Sequence, residues 1–174
     1  MTDLRYPIGQ FELPQTVTGD DRRRWIAEIA ATPNRLREAV QNLNESQMES
    51  AYRPGGWTVR QVVHHLADSH LNSYVRFKLA LTEDEPVIKP YDEARWAEVI
   101  DGRTGPVALS LTLLESLHQR WVMMLESLSP GDWARTFRHP ELGVRTIEQT
   151  LALYGWHGRH HVAHITSLRE RMGW

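Results

Sequence analysis

The chain has 174 residues, of which 41% are hydrophobic and 24% charged, values typical of a soluble globular domain with its own core. A formal net charge of −2 argues against a nucleic-acid partner, and no apolar run approaches the ~20 residues of a membrane-spanning helix. The absence of cysteine removes disulfides, thiolate metal ligands and a cysteine nucleophile, and the first residues contain no apolar signal segment. We therefore predict one domain spanning residues 1–174, located in the cytoplasm, with no nucleic-acid or membrane partner.

The N-terminal part of the chain is predicted to combine an extended arm with a long helix. Residues 1–19 show little periodicity and are expected to lie extended on the surface. From Asp20 onward, apolar residues recur at a spacing of three to four, which indicates an amphipathic helix. Pro33 lies inside this pattern. Because proline lacks an N–H and clashes with the preceding turn, it is expected to kink or split the helix.

A second helix is followed by a long connection. The segment Pro54–Trp57 breaks the pattern, and Thr58 is a suitable N-cap for a helix to about Leu81. Residues 82–106 are acidic and contain prolines, with a short helix expected around 93–100. Such a connection is too long for a tight helical hairpin, so it predicts a crossover between neighbouring helices that run parallel.

Two further long helices are predicted. One covers about Val107–Leu128, and residues 133–144 lack a helical period, which favours a loop or a small hairpin. Thr146 and Gln149 match a capping box that begins a final helix, which continues to about Met172. Four long helices with one long crossover predict an all-α four-helix bundle.

Histidine is concentrated in two short stretches, one of them on the last helix. Two pairs there are spaced by four residues, His157 with His161 and His160 with His164, and such pairs can bind one metal ion. At about 100° per residue, His161 lies near the centre of the apolar stripe and His157 about 40° to one side. Helical phase therefore selects His157 and His161 as inward-facing, with His160 and His164 at the rim or in support. A hydrogen-bonded core histidine is the alternative for each.

The other stretch, residues 64–70, leaves the ligand on the second helix open. By periodicity the most inward position is His70, at the centre of the apolar stripe. His65 is displaced by about 100° from Leu66, and His64 points nearly the opposite way. The pattern alone therefore nominates His70. His118, on the stripe of the third helix, is predicted to be a hydrogen-bonded core residue that supports a ligand at most.

The sequence resembles the DinB superfamily, and specifically its YfiT-like branch. The run Gly55–His70 contains Trp57-Thr58 followed by His65-Leu66-Ala67-Asp68, which is similar to that family's Trp-Ser/Thr helix start and His-Leu-x-Asp element. Trp156–His161 resembles its second element, His-x-x-x-His. The likeness also includes Tyr6–Gly9 and the last four residues, so it covers essentially the whole chain.

The resemblance implies a DinB-like bundle with metal ligands at His65, His157 and His161. This set agrees with the phase argument on the last helix and disagrees with it on the second helix. We follow the resemblance there, since a bundle helix faces two neighbours and can offer a ligand from the edge of its stripe. His70 then becomes a candidate lining or supporting residue.

The resemblance further implies a metal-dependent hydrolase that forms a homodimer. Three neutral imidazoles leave a divalent ion with its full charge and an open position, where water becomes acidic enough to react at neutral pH. Zinc and nickel both suit imidazole ligands, and one ion per subunit is expected. No side chain is assigned as the nucleophile. Asp68, His70, His160 and His164 are the candidates for residues that support the ligands or the water.

Two alternative functions use the same metal site. In the first, the partner is a small-molecule thiol, and in the second there is no substrate. Some DinB-like proteins resemble thiol S-transferases, in which the metal holds a low-molecular-weight thiol of the bacillithiol type as its thiolate. The third possibility is a bundle that is stabilised by a metal or senses one without catalysis, in which a fourth protein ligand would close the coordination sphere.

Overall fold

The computed structural model describes residues 3–174. Four long helices form the bundle: α1 (Gly19–Val40), α3 (Val59–Thr82), α6 (Val107–Glu126) and α7 (Ile147–Met172). The short elements between them are α2 (Glu45–Met48), α4 (Glu93–Trp96), α5 (Ile100–Thr104), a 3-10 turn (Asp132–Ala134) and the strands β1 (Thr136–His139) and β2 (Gly143–Thr146). The predicted four-helix bundle is therefore confirmed, with a small antiparallel hairpin where the sequence favoured a loop or hairpin.

Threonine caps determine where three of the long helices begin. The side chains of Thr18, Thr58 and Thr146 each accept a hydrogen bond from the backbone N–H of the residue three positions later. The side chain of that later residue accepts a hydrogen bond from the backbone N–H of the threonine. These reciprocal bonds satisfy amide groups that have no partner within the helix. The caps predicted at Thr58 and Thr146 are confirmed.

Helix α1 is not divided at Pro33. The proline leaves the carbonyl of Ile29 without its usual N–H partner, but the ring Nδ1 of His118 lies 2.6 Å from that oxygen. The freed acceptor is therefore satisfied by a side chain of α6. Because that bond and the packing of α1 against α6 and α7 hold the turn in place, the helix continues through the proline.

Each long helix has two long-helix neighbours. Helices α1 and α3 each pack against both α6 and α7, so that α1 and α3 lie diagonally across the bundle. Contacts between α3 and α6 advance in the same direction along both chains, from His64 with Ser110 to His70 with His118. These helices therefore run parallel, and the predicted crossover is confirmed. Contacts between α3 and α7 advance in opposite directions.

Three segments add detail to the prediction. The short helices α2 and α5 were not predicted, although Asn44 and Gln47 form a capping box that marks the start of α2. Residues 3–17 contain no helix or strand, as expected for an arm, and lie along α7, where the Phe11 ring is 5.9 Å from that of Trp156. In the described part of the chain, no helix is long and apolar enough to span a bilayer.

The core is divided into two apolar clusters. One contains Ile29, Phe77, Trp121 and Leu151, and the other contains Leu36, Leu66, Leu114 and Ile165. Between them along the helices lie the buried His70, His118 and His161 and the half-buried His157. A polar layer at mid-height of the bundle therefore positions the candidate site.

Candidate metal centre

Three histidines from two antiparallel helices meet in this layer. His65 of α3 and His157 and His161 of α7 each offer a ring nitrogen, and these nitrogens lie within 4.8 Å of one another. The ring centroids are 4.5 Å apart for His157 and His161, and 4.7 Å and 5.5 Å from His65 to His161 and His157. Within residues 3–174, no fourth histidine, aspartate or glutamate joins the group. The arrangement suits an ion with three protein ligands and an open position.

A close helix contact supports this placement of α7. At Gly158, a Cβ atom would lie 2.4 Å from Thr32 Oγ1 of α1, well inside van der Waals contact. Glycine therefore allows α7 to approach α1 closely on the face beside the histidine pair. This contact explains a helix-weakening residue directly after a candidate ligand.

Burial keeps the three imidazoles neutral. Loss of hydration lowers the pKa of His65 to about 4, with a smaller effect from His164. The same loss of hydration, followed by the neighbouring histidines, lowers the pKa of His157 and His161 well below the usual value. Near neutral pH each ring therefore keeps a lone pair, which a metal ion requires.

His157 ends a series of three hydrogen-bonded histidines, of which His118 and His70 are fully buried. His118 Nδ1 lies 2.6 Å from the Ile29 carbonyl oxygen, His118 Nε2 lies 2.9 Å from His70 Nδ1, and His70 Nε2 lies 3.1 Å from His157 Nδ1. A carbonyl oxygen only accepts, so His118 donates from Nδ1. Burial lowers the pKa of His118 to about 4 and that of His70 well below the usual value, so both rings are neutral.

The Ile29 carbonyl determines which atom donates and which accepts in every hydrogen bond of this histidine series. Neutral His118 has its lone pair on Nε2 and accepts from His70 Nδ1–H, and neutral His70 then accepts on Nε2 from His157 Nδ1–H. The lone pair of His157 is therefore on Nε2. Because its Nδ1 is already engaged, Nε2 is the atom available to a metal.

His161 ends a second chain with the same result. His164 Nε2 lies 3.0 Å from the Arg5 carbonyl oxygen and must donate to it, and His164 Nδ1 lies 3.3 Å from His161 Nδ1. Burial lowers the pKa of His164, so its Nδ1 carries a lone pair and accepts from His161 Nδ1–H. His161 is likewise left with its lone pair on Nε2.

A second group of histidines is close enough to share an ion. His160, His161 and His164 also have ring nitrogens within 4.8 Å of one another. In this group Nδ1 of His160 is free of partners among the described residues, but both nitrogens of His164 are engaged, Nε2 by a backbone carbonyl oxygen. The ring of His160 stacks on Trp156 at 4.2 Å. The geometry therefore favours the group that contains His65.

The rim position predicted for His160 and His164 is wrong. They are 7% and 3% exposed, because the N-terminal arm and the α2–α3 connection cover this face of α7. Tyr6 lies 5.9 Å from the ring of His160, and Tyr52 stacks at 4.0 Å on His164. An arm without periodicity gives no sequence signal of where it packs, so phase alone made this face appear accessible.

The other candidates differ in their relation to the three ligands. His70 contacts His157 and His164 contacts His161, as supporting residues do. Asp68 has no hydrogen bond or ion pair with the three histidines, and burial, with Asp101, raises its pKa to about 6; its supporting role stays a prediction. The Trp57 ring lies 4.5 Å from that of His65 and covers one side of the group.

The chain is similar in sequence to one protein family and to several of its relatives. A model of the DinB superfamily matches residues 28–165. Proteins of Bacillus mycoides (strain KBAB4) and Bacillus anthracis (strain A0248), both named "Putative metal-dependent hydrolase", are 56% and 55% identical, with all of this chain and all of each relative aligned.

A solved structure agrees with these relatives. YfiT from Bacillus subtilis is described as "a probable metal-dependent hydrolase with an unusual four-helix bundle topology". It superposes with a TM-score of 0.96 at 48% identity and covers 99% of each chain. The chain therefore belongs to the DinB superfamily, in its YfiT-like branch.

Proposed function

We propose that this chain is a hydrolase that binds one divalent ion, zinc or nickel, through Nε2 of His157, Nε2 of His161 and a ring nitrogen of His65. The observation that carries the proposal is the meeting of three neutral imidazoles within 4.8 Å, without a fourth histidine, aspartate or glutamate among residues 3–174. The names of the relatives support the same class of activity. An ion bound there would supply a Lewis acid that polarises a scissile carbonyl or phosphoryl group and activates water.

The residues of the chain prepare the site for that chemistry. Uncharged ligands leave the full positive charge of the ion available to the substrate. The two histidine chains fix the tautomer and direction of the two ligands on α7 before a metal arrives, which lowers the cost of organising the site. Trp57 shields His65 and His161, with ring distances of 4.5 Å and 6.4 Å, and so reduces access of bulk water from that side.

The hydrolase proposal predicts metal-dependent cleavage of activated substrates. The purified protein is tested on p-nitrophenyl acetate and p-nitrophenyl phosphate before and after chelation, and again after addition of zinc or nickel. We expect one ion per chain by metal analysis, loss of hydrolysis on chelation and recovery with metal. The His157→Ala variant is expected to stay inactive with added metal, because it lacks a ligand.

The same preparations separate hydrolysis from thiol transfer. Metal-loaded protein is incubated with monochlorobimane, with and without bacillithiol or glutathione. If conjugation accelerates only when thiol is present and neither p-nitrophenyl substrate is cleaved, the hydrolase proposal is wrong and the thiol transferase replaces it. Metal spectroscopy that shows no exchangeable water would instead indicate a closed, non-catalytic site.

The homodimer and the cytoplasmic location stay predictions.

His70 is predicted to tune metal affinity without being a ligand. The His70→Ala substitution removes the acceptor of His157 Nδ1–H, and loss of such a supporting bond weakens metal binding by about 10- to 100-fold. Competition with a chromogenic chelator measures the affinity, and one ion per chain should still bind at saturation. His64→Ala is the matched control, since His64 is also buried on α3 but bonds Ser110 and Gly105 instead. Equal losses of affinity in both variants would contradict the role given to His70.

A further inference from the structure

A cavity of about 360 Å³ lies between the N-terminal arm, the hairpin and helices α3 and α7. Its size falls in the range of small-molecule sites. Most of its wall is apolar and is formed by Phe11, Leu13, Phe137, Leu142, Leu153 and Tyr154. None of the proposed metal ligands lines it, although the ring of Tyr154 lies 5.2 Å from that of His157.

Two arginines line this apolar cavity without a carboxylate to balance them. Arg76 comes from α3 and Arg145 from β2, and neither forms an ion pair within residues 3–174. The hydrogen bond of the Arg145 side chain is a long one of 3.4 Å to the Val144 carbonyl. No aspartate or glutamate is among the lining residues. The wall therefore has uncompensated positive charge beside apolar surface, where electrostatic attraction is strong.

A histidine adds a third donor to the cavity lining. Nδ1 of His139 accepts hydrogen bonds from the backbone N–H groups of Glu141 and Leu142, at 3.2 Å and 3.3 Å. Its lone pair is therefore on Nδ1, and its proton is on Nε2. Burial and then the charge of Arg76 lower the pKa of His139, whereas Glu141 raises it and Arg145 lowers it to a smaller extent. Arg76, His139 and Arg145 all line the same cavity.

We propose that this cavity binds a small organic anion, with its apolar body against the aromatic and leucine wall and its charged head at Arg76, Arg145 and His139 Nε2–H. Guanidinium groups bind carboxylate and phosphate oxygens through charge-assisted hydrogen bonds. A neutral ligand of the same shape fills the apolar wall but leaves both guanidinium groups without a counter-charge, whereas a cationic ligand is repelled. The site requires no metal, so it is independent of the proposed hydrolase activity.

Calorimetry on the metal-free protein tests the proposal with octanoate, octyl phosphate and the neutral octanamide. We expect saturable binding of at least one anion and binding of octanamide that is weaker by about tenfold or more. The two anions separate carboxylate from phosphate recognition. Arg76→Gln and Arg145→Gln should each weaken binding of the preferred anion by about tenfold, with octanamide unchanged.

Arg95→Gln is the control, because Arg95 is 88% exposed in its side chain and does not line the cavity. Thermal unfolding of each variant verifies that the fold is intact. The proposal is overturned if neither anion binds at about 10 mM, a concentration that detects even weak ligands. It is also overturned if octanamide binds as well as the anions, or if the Arg76 and Arg145 variants retain full affinity, since the cavity would then be only an apolar cleft.

Discussion

Replacing His65 or His157 by alanine is expected to abolish stoichiometric metal binding, whereas replacing His160 is expected to preserve it. Each of the first two substitutions removes one of three ligands from the group within 4.8 Å. The loss should exceed the 10- to 100-fold that follows from removing a supporting residue, so affinity should fall by more than about 100-fold. Metal analysis after dialysis and chelator competition measure this effect.

The design of this series separates the two histidine groups. His161 belongs to both, so its substitution does not distinguish them, whereas His65 and His157 belong to one and His160 and His164 to the other. His164→Ala should weaken binding by about 10- to 100-fold, because it supports His161. If His160→Ala releases the metal while His157→Ala retains it, the ion occupies the other group. Unfolding curves for every variant identify losses that come from misfolding.

The metal-free protein is expected to lose stability steeply as the pH falls from about 6.5 to about 4. All nine histidines have a pKa lowered chiefly by burial. In this window the unfolded chain binds protons that the folded chain does not, so the stabilisation is complete above about 6.5 and is lost on acidification. For His118, a pKa of about 4 corresponds to about 3 kcal/mol.

Several such histidines together approach the whole stability of a domain, about 5–15 kcal/mol. Asp68 acts in the opposite sense, since burial raises its pKa to about 6, but it is one group against nine histidines. Urea unfolding of the metal-free protein at about pH 8, 7, 6 and 5 measures the slope, which is about 1.4 kcal/mol per pH unit for each proton taken up. Equal free energies of unfolding at pH 7 and 5 would contradict the neutral, buried histidine layer.

The sequence predicted the last helix and its inward-facing histidine pair for sound physical reasons. A capping threonine and an apolar stripe determine where α7 begins and which face is buried, so His157 and His161 follow from phase. The same argument nominated His70 over His65. In the structure His70 is fully buried between His118 and His157, with both nitrogens engaged, which favours His65 as the candidate ligand. Phase finds the deepest residue, whereas a ligand needs a free lone pair.

The histidine chains could not have been predicted from the sequence. His118 bonds the carbonyl of Ile29, 89 positions away, and His70 bonds His157, 87 positions away. Such pairings depend on the relative register of helices that no local pattern encodes. The hydrogen bond from His164 to the Arg5 carbonyl is harder still to predict, because a backbone oxygen in an aperiodic arm carries no sequence signal. Pro33 was recognised in the sequence, but only as a residue expected to kink or split its helix.

The proline in α1 has a consequence for anyone who would transplant this centre. Copying the three candidate ligands onto another bundle would reproduce their positions but not the proton orientation that the hydrogen bonds give His157. For His157 that orientation begins at the Ile29 oxygen, which is free to accept from His118 because residue 33 has no N–H. An engineered copy therefore needs a vacant carbonyl at the same depth, and a regular helix without proline does not provide one.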